Sequence, residues 1–281
     1  MTAVIDKTLE TYGIDNWGAD YFGINKKGNL IVRAPENEAL TADIKEIIDD
    51  LQKRGVSAPV LLRFPQLIFG QIRKLQVAFR KSIKEFDYEG DHLCVFPMKV
   101  NQNRSVIEEY LREGSRYNFG LEAGSKAELY AALGLEQAKD SLLVLNGFKD
   151  REFIRLAFAG AAAGKNVVIV IEKLSELDHA LSIAEETQKA NPDMKIPVLG
   201  VRVKLYAKGS GKWEKSGGEA AKFGLTTTEI LEVIRRLREA GPTEANRVGR
   251  LVRRRGVDAE RRYVAPRRPD PRGDCGRTGG A

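Results

Sequence analysis

The chain has 281 residues, 42% of them hydrophobic and 30% charged, enough for one large domain or two small ones around a sizeable core. Its formal charge of +7 is confined to the end: residues 1–245 hold 35 Lys+Arg against 35 Asp+Glu, whereas residues 246–281 hold 11 Arg, no Lys and 4 acids. Basicity is therefore a property of the tail, no run of about 18 apolar residues suggests a membrane span, and the lone Cys94 and Cys275, without CxxC spacing, fit neither a disulfide framework nor a zinc site.

In chain order, two apolar runs around Asn25-Lys26-Lys27-Gly28-Asn29 predict a hairpin that Pro35 closes. Leu40, Ile44, Ile47, Ile48 and Leu51 recur at helical spacing and predict a helix over 39–54 that ends at Gly55. A strand over 60–64 and a helix from 66 to about 86 follow. From residue 93 the pattern becomes regular. Apolar runs at 93–97, 117–121, 142–145, 167–171 and 197–203 each precede a helical pattern, at 102–113, 125–133, 150–163, 174–190 and 227–240. Five βα units in succession predict a parallel sheet, and periodicity alone does not separate a doubly wound sheet from a barrel.

Each of these strands ends in groups able to do chemistry: Lys99 with Asn101, Glu122 with Ser125, then Asn146, Glu172, and Arg202 with Lys204. In a (β/α)8 barrel such ends converge on one mouth, although loops after strands are also polar simply because they are wet. Gly209-Ser210-Gly211-Lys212 lacks the Gly at 206 and the Ser or Thr at 213 that a P-loop requires, since Tyr206 and Trp213 stand there. It reads better as a flexible loop over a site. Of the two histidines, His92 and His179, the second lies in a charge-rich helical stretch and reads as a surface residue.

The runs Trp17-Gly18-Ala19-Asp20-Tyr21-Phe22-Gly23-Ile24-Asn25, Phe96-Pro97-Met98-Lys99-Val100-Asn101-Gln102 and Asn118-Phe119-Gly120-Leu121-Glu122-Ala123-Gly124-Ser125-Lys126-Ala127-Glu128-Leu129 resemble the bacterial biosynthetic arginine decarboxylases. The resemblance covers about residues 12–245. It implies an α/β fold, a (β/α)8 TIM-type barrel of the alanine racemase and ornithine decarboxylase kind that binds pyridoxal 5'-phosphate. The N-terminal strands would belong to a β-rich second domain. It also implies conversion of L-arginine to agmatine and carbon dioxide in putrescine and spermidine synthesis, magnesium (Mg2+) as a further cofactor and, for the intact protein, a homo-oligomer of at least a dimer; a cytoplasmic location is the expectation from the lack of an apolar span or a basic-then-apolar signal pattern.

By motif position Lys99 would be the Schiff-base lysine, and Glu122, Ser125 and Glu128 match an acidic-x-x-Ser-Lys-x-Glu pattern that lines the related ornithine decarboxylase pocket. Arg202 matches an arginine near the cofactor ring, and Lys222 in Lys-Phe-Gly matches a lysine that reaches a partner subunit. These types suit the chemistry. A lysine forms and re-forms the resting imine with the aldehyde, and desolvation or a nearby cation would help keep its amine unprotonated, since an ordinary pKa of about 10.4 leaves little free amine at pH 7.

Past residue 241 the resemblance stops. The His-x-His strand, the phosphate loops and the Glu for the pyridinium nitrogen that the family would show next do not occur, and five βα units do not close a barrel of eight. The expected organisation is an N-terminal extension at 1–58, a partial barrel at 59–245 and an Arg/Gly/Pro-rich tail at 246–281. The loss of Lys there, after 21 lysines in residues 1–245, suggests a shifted reading frame and disorder. A native basic tail for nucleic acid is the alternative, and with Tyr263 as its lone aromatic it offers little base stacking. Little or no activity is expected of the chain as written. The alternatives are another basic amino-acid or diaminopimelate decarboxylase of the same fold, or a non-catalytic cofactor-binding barrel.

Overall fold

The computed structural model describes residues 2–204 and 224–240. The loop at 209–212, Lys222 and the tail at 246–281 lie outside the described residues. Contacts divide the chain into two compact units, Met1–Phe79 with Asn103–Arg116, and Arg80–Gln102 with Tyr117–Ala281. This partition differs from a boundary at 58/59. The reason is visible within the first unit, where a Cβ on Gly70 would fall 2.6 Å from Pro35 and 2.8 Å from the Tyr21 hydroxyl.

The first unit begins with α1 (Thr2–Tyr12) and α2 (Ile14–Trp17), then a three-stranded antiparallel sheet of β1 (Phe22–Ile24), β2 (Leu30–Ala34) and β3 (Asn37–Asp43), in that order. The β1–β2 hairpin forms as expected. Asn25 Oδ1 accepts the Lys27 and Asn29 N–H groups, and Gly28 takes the positive φ of 82° that the turn requires. Two expectations fail here. The helix begins at α3 (Ile44–Lys53) rather than at 39, because residues 37–43 pair with β2 and Asp43 caps the helix by accepting the Glu46 N–H. Residues 60–64 form no strand; they have no ladder partner among the described residues. Next come α4 (Gln66–Glu85), whose first part belongs to this unit, and α5 (Arg104–Gly114).

The second unit is a five-stranded parallel sheet, β4 (Val95–Pro97), β5 (Gly120–Ala123), β6 (Leu142–Leu145), β7 (Asn166–Ile171) and β8 (Val198–Val201), ordered as in the sequence. Its helices are α6 (Lys126–Leu133), α7 (Arg151–Ala162), α8 (Leu174–Ala190) and α9 (Thr227–Glu239). The expected strands and helices are present, most bounds within one or two residues. All four β5 residues are buried, as a parallel strand covered on both faces requires. In α7 the buried residues Phe153, Ile154, Ala157, Phe158 and Ala161 fall on one face, and each large one contributes about 1.5–3 kcal/mol by leaving water.

Helix starts are set locally. Asp150 Oδ1 accepts the Phe153 N–H at the head of α7, and its pKa is held below the ordinary carboxylate range by Lys126, 2.7 Å away, and by that N–H. At α9, Thr226 Oγ1 accepts the Glu229 N–H while Glu229 Oε2 accepts the Thr226 N–H at 2.7 Å, a reciprocal capping box. Thr226→Ala is expected to lower stability by about 1 kcal/mol in urea unfolding. An unchanged midpoint would mean the cap contributes nothing.

Candidate active site

The candidate site is the carboxyl edge of the parallel sheet. Pro97 closes β4, an edge strand of the described sheet, where a residue without an N–H is tolerated. Beyond it Met98–Val100 make one 3-10 turn that buries Met98 and leaves Lys99 exposed. The turn thus places Met98 inside and Lys99 at the surface beside an exposed Val100. In register, Pro97 lies beside Glu122, and Glu122 beside Val144, so Glu122 sits on the next strand at the level from which Lys99 emerges.

Glu122 is buried, and its Oε1 accepts from Asn146 Nδ2 at 3.4 Å. Ser125 is exposed and caps α6, its Oγ accepting the Glu128 N–H at 3.2 Å. Glu128 reaches back to take the Gly124 N–H on Oε2 at 2.6 Å, and its Oε1 accepts from Gln102 Nε2 at 3.2 Å. Glu128 therefore ties the loop after Lys99 to the end of β5. Arg202 follows β8. Its Nη1 donates to Glu172 Oε1 at 3.2 Å, and its backbone N–H donates to the Ile171 carbonyl. The chain re-enters the described residues at Gly224, where Val203 and Leu225 form a parallel bridge.

Of the residues singled out in the sequence, Lys99, Glu122, Ser125, Glu128 and Arg202 all lie at this edge; Lys222 lies outside the described residues. Sequence reasoning missed Lys149 and Glu176. Lys149 Nζ lies 3.3 Å from Glu176 Oε2 with both side chains almost wholly buried. Burial pushes the Lys149 amine below the ordinary lysine range, opposed by Glu176 and more weakly by Glu172. Nothing in Asn146-Gly147-Phe148-Lys149-Asp150 distinguishes this lysine from a solvated loop lysine. Its burial depends on α8 delivering a carboxylate from 27 residues away.

Residues 69–243 match the family described as pyridoxal-dependent decarboxylase, pyridoxal binding domain. The chain belongs to that family of pyridoxal-dependent decarboxylases. It is similar to the biosynthetic arginine decarboxylases of Bacteroides thetaiotaomicron, 43% identical over 230 residues, and of Deinococcus radiodurans, 46% identical over 230 residues. These matches cover 82% of this chain and 35% and 34% of the relatives. The crystal structure of the biosynthetic arginine decarboxylase SpeA from Campylobacter jejuni superposes with a TM-score of 0.70 at 38% identity, over 82% of this chain and 35% of that one. The fold class is therefore the barrel type of that family, and the chain spans about a third of its relatives' length. No described helix is long and apolar enough to cross a membrane.

Proposed function

We propose that this chain carries the cofactor-binding portion of an enzyme that decarboxylates L-arginine to agmatine and carbon dioxide, with Lys99 as the point of covalent attachment. The observation that carries the reading is the position of Lys99: exposed at the carboxyl end of β4, one strand from the buried Glu122, on the sheet edge that also presents Arg202. Preference for arginine over ornithine, lysine or diaminopimelate is supported by the similarity to enzymes named biosynthetic arginine decarboxylase. In this reading residues 59–245 form the cofactor-binding portion, 1–58 contribute to a second, β-rich domain, and 246–281 are a tail. A cytoplasmic homo-oligomer, magnesium and a role in polyamine synthesis belong to the same reading.

The residues present fit pyridoxal 5'-phosphate: a solvent-reachable amine at Lys99, and a half-exposed guanidinium at Arg202 as a cation for an anionic ligand. When bound, the cofactor supplies an electron sink for the charge left by a departing carboxylate. The chain's own residues prepare for it. Lys99 would hold its aldehyde covalently, Arg202 would offer positive charge to an anionic group of it, and Glu122 presents Oε1 oriented by the Asn146 amide. Gln102 and Glu128 fix the loop that carries Lys99.

The test is borohydride trapping of pyridoxal 5'-phosphate on the 281-residue chain, followed by peptide mapping. The label is expected on Lys99 and absent from Lys99→Ala. L-arginine added before the trap should lower the yield at Lys99 more than ornithine, lysine or diaminopimelate does. Labelling spread over surface lysines with none on Lys99 would overturn the assignment.

A further inference from the structure

Glu172 holds two separate elements with a single oxygen. Its Oε1 accepts the Gly147 N–H at 2.8 Å and Arg202 Nη1 at 3.2 Å; its side chain is wholly buried, although that of Arg202 is 46% exposed. Glu172 is itself fixed from behind. Its N–H donates to Glu176 Oε2 at 2.8 Å, Glu176 Oε1 takes the Lys149 N–H at 2.9 Å, and Lys149 Nζ pairs with Glu176 Oε2 at 3.3 Å while also donating to the Gly147 carbonyl. The Gly147 turn, at φ +76°, is thus gripped at its N–H by Glu172 and at its carbonyl by Lys149. Glycine is required there, since a Cβ would also meet the Gly124 carbonyl oxygen at 2.7 Å.

Two cations and two carboxylates make this cluster neutral, and yet Glu172 Oε2 is buried without a hydrogen-bond partner among the described residues. A carboxylate placed for its own satisfaction would use both oxygens. This one is placed for what it holds. Arg202 is long, half in solvent and rich in rotamers, so a fixed acceptor for its terminal Nη1 removes much of its freedom before any ligand arrives.

We infer that Glu172 is a positioning residue: it pre-sets the Arg202 guanidinium at the carboxyl edge of the sheet to meet an anionic group of the cofactor, with the buried Lys149–Glu176 pair as its brace. The part played by the cofactor rests on the function proposed above; the bracing of Arg202 does not, and the two are tested separately. Phenylglyoxal labelling read by peptide mass reports on Arg202 without any cofactor. In the folded 281-residue chain Arg202 should react several-fold more slowly than exposed Arg63. Glu172→Gln, which keeps an acceptor oxygen but removes the charge, should accelerate Arg202 labelling up to about tenfold, leaving other arginines unchanged. Glu172→Asp, which keeps the charge but withdraws it by one methylene, should fall between.

Pyridoxal 5'-phosphate titrations trapped at Lys99 should show weaker binding in Glu172→Gln and partial recovery in Glu172→Asp. Faster Arg202 labelling in a chain that never retains the cofactor supports the brace and sinks the proposed function. Equal labelling of Arg202 in the unmutated chain and the folded glutamine variant overturns the brace even where Lys99 is trapped normally. If neither variant folds, reaction of Arg202 as fast as Arg63 in the unmutated chain overturns it as well.

Discussion

Lys149→Ala is expected to destabilise the second unit by about 3–5 kcal/mol, the range for removing one partner of a buried ion pair. The loss exceeds that of any surface pair here because both side chains are almost wholly out of water and Glu176 would be left charged and uncompensated. Simple apolar replacement of both partners is often neutral elsewhere. Here it would also strand two backbone N–H groups, those of Glu172 and Lys149, which Glu176 accepts. Lys149→Met with Glu176→Gln, which keeps an acceptor oxygen, should recover most of the loss, and Lys149→Met with Glu176→Leu should recover less. Urea unfolding compares them; an alanine variant as stable as the parent would contradict the burial of the pair.

The pair also predicts a direction with pH. Burial lowers the folded pKa of Lys149 below its ordinary 10.5. Between the lowered value and about 10.4 the unfolded chain still holds a proton that the folded chain has released, so stability from this group rises with pH through that window. Below the window its contribution is at its least favourable. Lys149→Met should remove that slope.

The second large effect is expected at Gly120. A Cβ there would lie 2.0 Å from the Leu142 carbonyl oxygen and 2.8 Å from the Leu142 nitrogen. Both are backbone atoms of β6, which is held by β5 on one side and β7 on the other, so nothing can swing away. Gly120→Ala should cost about 3 kcal/mol, at the upper end for overpacking. It should also lower trapping at Lys99, because Gly120 opens the β5 register that sets Glu122 beside Pro97. Parental stability in this variant would show that the first residues of β5 and β6 lie farther apart than this.

The second unit was legible because its strands are short apolar runs and its helices bury one periodic face, as β7 and α7 do. The first unit was less so. β3 carries five exposed residues out of seven, and only its pairing with β2 makes it a strand; Leu40 lies on it at a spacing that continues the periodicity of α3. Residues 60–64 show the converse, an apolar run that reads as a strand and pairs with nothing among the described residues. Apolar content is a local property. Pairing is not.

The same division runs through the site. The placement of Lys99, Glu122, Ser125, Glu128 and Arg202 at the carboxyl edge was legible in the sequence, since each stands just after an apolar run or in a motif of fixed spacing. So was the parallel sheet on whose edge they lie. Glu172 too stands just after an apolar run, but its hold on Arg202 and the buried Lys149–Glu176 pair behind it were decided by tertiary structure alone. A lysine's burial and a carboxylate's orientation depend on groups 27 to 30 residues away along the chain, and on a low-polarity interior that exists only once β6, β7 and α8 have packed.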